Sequence, residues 1–230
     1  MKIVILSDCH IGSPEANVTK LNYFLSTIEC DKLILAGDMF DLWDSSSENI
    51  KLKHQDTLKI LKEIITRGIK VEYLLGNHDE DYVKYPVIEL QIVPTIDFLL
   101  PNGKHVKVIH GHEFDFIYKH HYHLYKTSAW VNKIMAKFIG VSFKSLSGKM
   151  TCTNLKNNDY SRTVEKIHAN ARNELNKKAD VLIMGHTHAP EHKFNDDLIE
   201  FWNSGDWKVH NSYIVIEDNA INLYFYHDNL

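Results

Sequence analysis

Five short apolar runs, each followed by a cluster of polar residues, constrain the fold of this chain more than any other feature of its sequence. The runs cover residues 2–6, 32–36, 71–75, 106–109 and 181–184, and each has the length of a buried strand. Helical patterns lie between several of them, at about residues 17–28 and 48–66. Alternating strands and helices predict an α/β fold in which helices pack on a sheet.

The last part of the chain has a different pattern. Residues 198–202, 213–217 and 221–226 are typical of consecutive strands, and a short connection separates the last two. This pattern predicts a second, mostly antiparallel sheet. No linker rich in Pro, Gly or Ser divides the 230 residues, so we expect one domain over residues 1–230.

The polar clusters that follow the five runs contain the candidate functional residues. They read Ser-Asp-Cys-His from residue 7, Gly-Asp-Met-Phe-Asp from residue 37, Gly-Asn-His-Asp from residue 76, His-Gly-His from residue 110 and Gly-His-Thr-His from residue 185. Each cluster alone has an ordinary explanation, because Asp caps helices and Gly-Asn forms turns. In this order they indicate one shared crevice, because ligand sites in α/β folds lie outside the carboxyl ends of strands.

Seven of these side chains are carboxylates, an amide and imidazoles that suit divalent metals: Asp8, His10, Asp38, Asn77, His110, His186 and His188. Seven are too many for one tetrahedral ion, and they predict two metals that share a carboxylate. A site of this kind holds a hydroxide between ions about 3.5–4 Å apart and directs it in line at a phosphoryl group.

The run Asp8-Cys9-His10 raises the question of whether the thiol belongs to the site. Successive strand residues point to opposite faces, so an extended chain would place Asp8 and His10 on one face and Cys9 on the other. We therefore predict that Cys9 is a small buried hydrophobe. The three cysteines are odd in number and widely spaced, which predicts reduced thiols.

These motifs closely resemble, in the same order, those of the calcineurin-like metallophosphoesterases. The resemblance rests on Asp8-x-His10, Gly37-Asp38-x-x-Asp41, Gly76-Asn77-His78-Asp79, His110-Gly111 and Gly185-His186-x-His188. It implies a four-layer αββα sandwich with a dinuclear centre at the strand ends. It also implies that one metal is held by Asp8, His10, Asp38 and His188. The other would be held by Asp38, Asn77, His110 and His186, with Asp38 as the bridge.

The resemblance assigns a catalytic role beside the metals. His78 matches a family histidine that contacts the scissile phosphate and assists the leaving group, and imidazole can donate a proton near neutral pH. We expect Asp79 to orient the His78 imidazole, with capping of the following turn as its alternative role. For Asp41, a role as acceptor behind the ligands and a surface or capping role are both open.

Residues 116–158 stand apart because they contain seven lysines and no Asp or Glu. Within them Trp130, Ile134 and Phe138 recur at helical spacing, so we expect a basic amphipathic helical insertion at about residues 117–158. In one interpretation this stripe packs on the domain and the lysines face solvent. In the other it is a helical cap that offers an apolar face and positive charge to an anionic, lipid-like substrate.

A finer resemblance, to bacterial UDP-2,3-diacylglucosamine hydrolases, rests on residues 37–43, the helical insertion, and Asn203-Ser204-Gly205-Asp206-Trp207. It implies hydrolysis of a pyrophosphate in a nucleotide-sugar-lipid under a cap that receives acyl chains. The chain departs from that branch at His78 and His112, where Arg and Asp are often found. Another pyrophosphate-linked lipid head group, a nucleotide and a smaller phosphodiester therefore stay open as substrates.

We therefore expect a metal-dependent phosphoesterase or pyrophosphatase with two divalent ions, manganese first and iron, cobalt or zinc as alternatives. One alternative function is a nuclease or phosphodiesterase that acts on nucleotides or nucleic acid. Another is a non-enzymatic scaffold, as in the retromer subunit that resembles these enzymes. The first apolar run is too short for a signal peptide or a spanning helix, which predicts a cytoplasmic protein, and the lysines add the expectation of contact with the inner membrane face.

Overall fold

The computed structural model describes residues 1–116, 118, 157–195 and 198–227. The chain divides into two compact units, one of Met1–Gly111 with Arg172–Leu230 and one of His112–Ala171. The lysines and the apolar stripe of the basic insertion lie outside the described residues, so the helical cap stays a prediction.

The described elements follow the predicted alternation of strands and helices. The strands are β1 Lys2–Leu6, β2 Lys32–Ala36, β3 Lys70–Leu74, β4 Gln91–Ile92, β5 Ile96–Leu99, β6 His105–Val108, β7 Val181–Met184, β8 Glu191–Asn195, β9 Leu198–Asn203, β10 Ser212–Glu217 and β11 Ala220–Phe225. The helices are α1 Val18–Thr27, α2 Ser47–Lys53, α3 Gln55–Thr66 and α4 Asn157–Leu175. Short 3-10 helices cover Glu80–Val83 and His112–Phe114.

The strands form two stacked sheets. The first has the order β11-β10-β1-β2-β3-β4 and the second the order β5-β6-β7-β9-β8. Strands β1 to β3 run parallel to one another, as do β6, β7 and β9. An apolar core joins the sheets, with Ile5 and Ile34 on one side and Val108 and Ile183 on the other. The predicted α/β fold class is confirmed.

Helices α1 and α3 pack on each other and cover the outer face of the first sheet. Leu25 of α1 and Leu61 of α3 are fully buried there, in a core that includes Val4 and Leu33 of the sheet. Burial of one such leucine is worth roughly 1.5–3 kcal/mol, so these contacts fix the helices on the sheet. The sheet in turn holds the loops that follow its strands.

The single helix predicted at about residues 48–66 is wrong, because two helices cover this segment. His54 has a non-helical backbone (φ −121°, ψ 37°) and separates α2 from α3. Its N–H donates to the Ile50 carbonyl, and its own carbonyl accepts from the Leu58 N–H. One residue thus ends one helix and begins the next, so the break leaves these backbone groups paired.

The separate antiparallel sheet predicted for the end of the chain is also wrong. Strand β9 pairs in parallel with β7 in the second sheet, whereas β10 and β11 extend the first sheet beyond β1. Ile214 and Ile216 of β10 pack in the core between the sheets, and Val215 packs on the helical side. Strand β10 is therefore an internal strand that pairs with β1 on one side and with β11 on the other, and it is buried on both faces.

Helix α4 is amphipathic. Val164, Ile167, Ala171 and Leu175 recur at helical spacing and are buried, while most other residues of the helix with described side chains are exposed. Within the described ranges, none of the helices combines the length and the apolarity that crossing a membrane requires.

Candidate metal centre

The seven predicted ligands come together at the carboxyl ends of five strands from both sheets. Asp8 and His10 follow β1, Asp38 follows β2, Asn77 follows β3, His110 follows β6, and His186 and His188 follow β7. Five of them are buried, and His186 and His188 are half-buried. Convergence at one edge of the stacked sheets is the arrangement that strand-end ligands require.

Asp8, His10 and His188 form the first group. The Asp8 Oδ1 atom lies 3.1 Å from His188 Nε2 and 3.9 Å from His10 Nε2. The two imidazole Nε2 atoms are 3.2 Å apart. Ligands about 2.0–2.2 Å from one ion stand roughly 3–3.5 Å from each other, so the three donor atoms are spaced as ligands of one ion would be.

Asn77, His110 and His186 form the second group. The Asn77 Oδ1 atom lies 3.3 Å from His110 Nε2 and 3.1 Å from His186 Nδ1. His110 Nδ1 lies 2.9 Å from the Ala36 carbonyl, to which it donates when it carries the proton. This hydrogen bond leaves Nε2 as the nitrogen that can bind a metal.

Asp38 stands between the groups. Its Oδ2 atom lies 3.8 Å from His10 Nε2 in the first group and 3.4 Å from His110 Nε2 in the second. Its other oxygen, Oδ1, accepts the His78 backbone N–H at 2.8 Å. Asp38 therefore occupies the position that a bridging carboxylate needs.

The electrostatics of the cluster fit a cation. Asp8 Oδ1 is fully buried and its near neighbours include the His188 and His10 imidazole nitrogens, so its negative charge is favourable only where a positive charge faces it. Burial lowers the pKa of His110, but the Asp38 carboxylate outweighs burial and raises that pKa to about 10, so the carboxylates favour a positive charge here, which a bound metal would supply in place of the proton. Burial lowers the pKa of His10 to about 4, so this ring is neutral at pH 7, as a metal ligand must be.

The backbone explains how these side chains face inward. Asp8, His10, Asp38, His186 and His188 all have positive φ, between 48° and 65°. Residues other than glycine adopt this left-handed region rarely and at a free-energy cost, and such residues concentrate at functional sites. Five of the seven predicted ligands are held this way, so the surrounding fold imposes their direction.

The extended geometry assumed for Asp8-Cys9-His10 is wrong, because β1 ends at Leu6 and both flanking residues are left-handed. The expectation for Cys9 nevertheless agrees with the structure. Its side chain is buried in the core on the helical side of the first sheet, and its Sγ donates to the Ser7 carbonyl at 3.8 Å. Burial, followed by the charge of Asp8, raises the pKa of the thiol well above its ordinary value.

Glycines precede three of the predicted ligands and allow the loops to approach one another. A Cβ atom on Gly37 would meet the His110 ring, and one on Gly185 would meet the Ser7 hydroxyl and the Asp8 carboxylate. A Cβ atom on Gly76 would lie 2.6 Å from the backbone nitrogen of Asp38. Backbone cannot move aside as a flexible side chain can, so position 76 tolerates no side chain.

We expect Gly76→Ala to destabilise the protein by about 1–3 kcal/mol and to weaken metal binding, because the added methyl displaces Asp38. Chemical unfolding and calorimetric metal titration measure the two effects. Gly103→Ala is the control for metal binding, since an added Cβ there meets nothing within 4 Å, whereas its φ of +86° strains any side chain and lowers stability away from the site. Equal metal affinity in both variants would contradict the prediction.

His78 is held beside the two groups by three side chains. Its Nδ1 atom lies 3.1 Å from Asp41 Oδ1, and the Trp43 ring stacks on it with centroids 4.2 Å apart. The His10 ring meets it edge-on at 4.6 Å. Burial lowers the pKa of His78, but the charges of Asp38 and Asp41 outweigh burial and raise that pKa above its ordinary value.

Asp79 does not contact the His78 ring, contrary to the predicted orienting role. Its carboxylate accepts from the Tyr73 hydroxyl and from the backbone N–H groups of Gly76 and Met39, at 2.5 Å and 2.9 Å for the last two. Asp79 thus ties the loop after β3 to the loop after β2. Asp41 takes the orienting position, and its Oδ1 also caps the chain at the Asp44 N–H.

The sequence reasoning missed residues that hold the ligand loops from behind. The buried Asn203 donates to the Gly185 carbonyl at 2.8 Å and to the Thr187 hydroxyl at 3.0 Å, which fixes the loop after β7. The Ser7 and Ser204 hydroxyls share a hydrogen bond of 2.7 Å across the two sheets. Asn203 and Ser204 stand in a motif that carried the finer resemblance, but no pattern in the sequence indicates their partners.

Comparison with known proteins adds independent information. A family model described as calcineurin-like phosphoesterase matches residues 1–190. A UDP-2,3-diacylglucosamine hydrolase of Photorhabdus laumondii is 24% identical over 246 residues, which cover 97% of this chain and 98% of that protein. One of Psychromonas ingrahamii is 24% identical over 239 residues, covering 97% and 96%.

Among solved structures, Yfce, a phosphoesterase from E. coli, has a TM-score of 0.50 and 18% identity. The alignment covers 96% of this chain and 91% of that chain. At this identity the likeness supports the fold alone.

Proposed function

We propose a substrate and a mechanism from the premise that this chain belongs to the calcineurin-like phosphoesterase family and is a hydrolase of phosphate esters. The proposed reaction is cleavage of the diphosphate in a nucleotide-diphospho-lipid such as UDP-2,3-diacylglucosamine, or in a related pyrophosphate. Two divalent ions, with manganese as the first candidate, are the proposed cofactors.

One observation carries the dinuclear mechanism. The Asp38 carboxylate lies within 4 Å of an imidazole nitrogen in each of two groups of predicted ligands. A single ion could not bind donor atoms on both sides of the Asp38 carboxylate, whereas two ions could share this carboxylate. Bound metals would polarise the phosphoryl oxygens and supply a nucleophile from water near neutral pH.

The chain's own side chains account for the remaining steps. Asp8, His10 and His188 would hold one ion, and Asn77, His110 and His186 the other, with Asp38 between them. His78 is proposed to hydrogen-bond the scissile phosphate and to give its proton to the departing oxygen. Asp41 and Trp43 keep the His78 ring in place for that step, because they contact its edge and its face.

Two observations support a lipid-linked substrate. The relatives that cover nearly the whole chain are named for a diacylated nucleotide sugar. The stretch from residue 116 to residue 158 has seven lysines and no carboxylate, which suits an anionic substrate at a membrane surface. The proposal therefore includes a cytoplasmic enzyme that contacts the inner face of the membrane.

A hydrolysis screen of the manganese-loaded protein tests the proposed function. Its substrates are UDP-2,3-diacylglucosamine, CDP-linked lipids, cyclic dinucleotides, single-stranded DNA and bis-p-nitrophenyl phosphate, with Asp38→Asn as the inactive control. Turnover of a lipid-linked diphosphate above all others is the expected result. Turnover confined to nucleotides or DNA would support the alternative phosphodiesterase, and no turnover above the control would overturn the enzymatic proposal.

We expect Lys133→Gln combined with Lys137→Gln to weaken binding to anionic vesicles roughly thirtyfold, because each lysine near such a surface contributes about 1 kcal/mol. The KM for UDP-2,3-diacylglucosamine should rise, while turnover of bis-p-nitrophenyl phosphate should not change. The matched control is Lys59→Gln with Lys62→Gln, two exposed lysines of α3. If both pairs alter vesicle binding equally, the basic insertion has no special role.

A further inference from the structure

The edges of the sheets differ in how they are protected against pairing. The described residues form two sheets and therefore four edge strands, β11, β4, β5 and β8. Strand β4 has only two residues, and β5 has four with the charged Asp97 among them. Strand β8 carries Glu191 and Lys193 and has an irregular register. Short length, charge and bulges are the features that keep edge strands from joining other chains.

Strand β11 has none of these features. Its six residues, Ala-Ile-Asn-Leu-Tyr-Phe, include no charge and no proline. All six pair with β10 in an unbroken register from Ala220 opposite Glu217 to Phe225 opposite Ser212. Tyr224 and Phe225 are each 45% exposed. A regular, uncharged and partly apolar edge is what a strand needs to accept another strand.

The hydrogen-bond pattern identifies the groups that face outward. The Tyr226 N–H donates to the Asn211 carbonyl of the neighbouring chain segment at 2.8 Å. Backbone groups alternate in direction along an antiparallel strand, so Tyr224 and Asn222 also face β10. The N–H and C=O groups of Ile221, Leu223 and Phe225 therefore point away from the sheet, and no described residue pairs with them.

We propose that two copies of this chain form a dimer in which their β11 strands pair antiparallel about a two-fold axis at Leu223. In this register Leu223 lies opposite Leu223 of the second copy, and Ile221 lies opposite Phe225. The Ile221–Phe225 pair occurs twice because of the two-fold axis, so there are three facing pairs. With two hydrogen bonds for each pair, about six hydrogen bonds satisfy the outward groups of both strands. The two first sheets become one continuous sheet.

Self-complementarity favours a second copy over another partner. The strand brings no like charges into register, and it places apolar side chains opposite each other at Leu223 and at Ile221 with Phe225, while Asn222 lies opposite Tyr224. An isologous contact also closes on itself, so it uses up the unprotected edge in both copies. Two six-residue strands bury roughly 1,000 Å², at the low end for specific interfaces, so the dissociation constant should be on the order of micromolar.

Sedimentation velocity over a range of protein concentrations tests the dimer without reference to activity. The wild-type chain should pass from monomer to dimer, and hydrogen exchange of the β11 amides at Ile221, Leu223 and Phe225 should slow with it. Phe225→Lys places a charge in the interface and should weaken the dimer at least about tenfold. Phe225→Pro removes an N–H group that faces outward and leaves the hydrogen bonds between β11 and β10 in place. It should weaken the dimer by a similar factor.

Leu52→Lys is the control, since Leu52 is exposed on α2 and lies away from the edge. It should dimerise as the wild type does. A wild-type chain that stays monomeric at about 100 times the expected dissociation constant would overturn the proposal. So would oligomers larger than two, slow exchange of the outward amides in the monomer, or a dimer that both Phe225 variants leave unchanged.

Discussion

Asp38→Asn is expected to reduce hydrolysis at least about 100-fold, beyond the 10–100-fold loss typical when a residue behind the ligands is changed. The reason is geometric, because the Asp38 carboxylate faces an imidazole nitrogen in both groups of donors. The amide keeps the size of the side chain but removes its charge, so two cations would be left with less compensation. Metal content by mass spectrometry and turnover of bis-p-nitrophenyl phosphate measure the effect.

The matched control is Asp56→Asn in the exposed first turn of α3, which should keep full activity and metal content. Thermal unfolding separates loss of metal from loss of fold. An Asp38→Asn protein that binds two equivalents of metal and retains more than about a tenth of its activity would argue against a bridging role.

His78→Gln is expected to slow hydrolysis by an amount that depends on the leaving group. General acid catalysis contributes roughly 10²–10⁴-fold when the departing oxygen needs a proton. Among aryl phosphodiesters, we expect about a 100-fold loss for the phenyl ester and less than about a tenfold loss for the p-nitrophenyl ester, whose phenolate departs unaided. Initial rates across a series of substituted phenols give this dependence directly.

Metal content should stay at the wild-type level in His78→Gln, because the His78 side chain is not among the predicted ligands. His192→Gln serves as the control, since that ring stacks on Trp202 at the edge of the second sheet. A loss of the same size for every phenol would assign His78 to phosphate binding alone.

The strand positions were largely predictable, because apolar runs of the right length are buried wherever the chain folds. Strands β1, β2 and β7 have the predicted limits, and β3 and β6 begin and end one residue earlier than predicted. The assignment of the last strands to sheets was not predictable in the same way. The alternation in β10 and β11 predicts an antiparallel pair but does not indicate which sheet the pair joins. In the structure β10 pairs with β1, so both strands extend the first sheet.

The candidate site was also predictable in part. Residue types and their order were enough to propose seven ligands, a shared carboxylate and a histidine beside them. They were not enough to distinguish Asp41 from Asp79 as the partner of His78, since both follow a strand by a few residues. The structure assigns Asp41 to the ring and Asp79 to Tyr73 and two backbone groups.

The opening Asp8-Cys9-His10 shows what the sequence alone determined and what the tertiary structure decided. The sequence determined the chemistry, because carboxylates and imidazoles at strand ends favour metal binding whatever their exact direction. The direction came from left-handed backbone at Asp8 and His10, which alternation along a strand does not predict. Such conformations are unfavourable locally and persist only where packing around them compensates, so they are properties of the assembled fold.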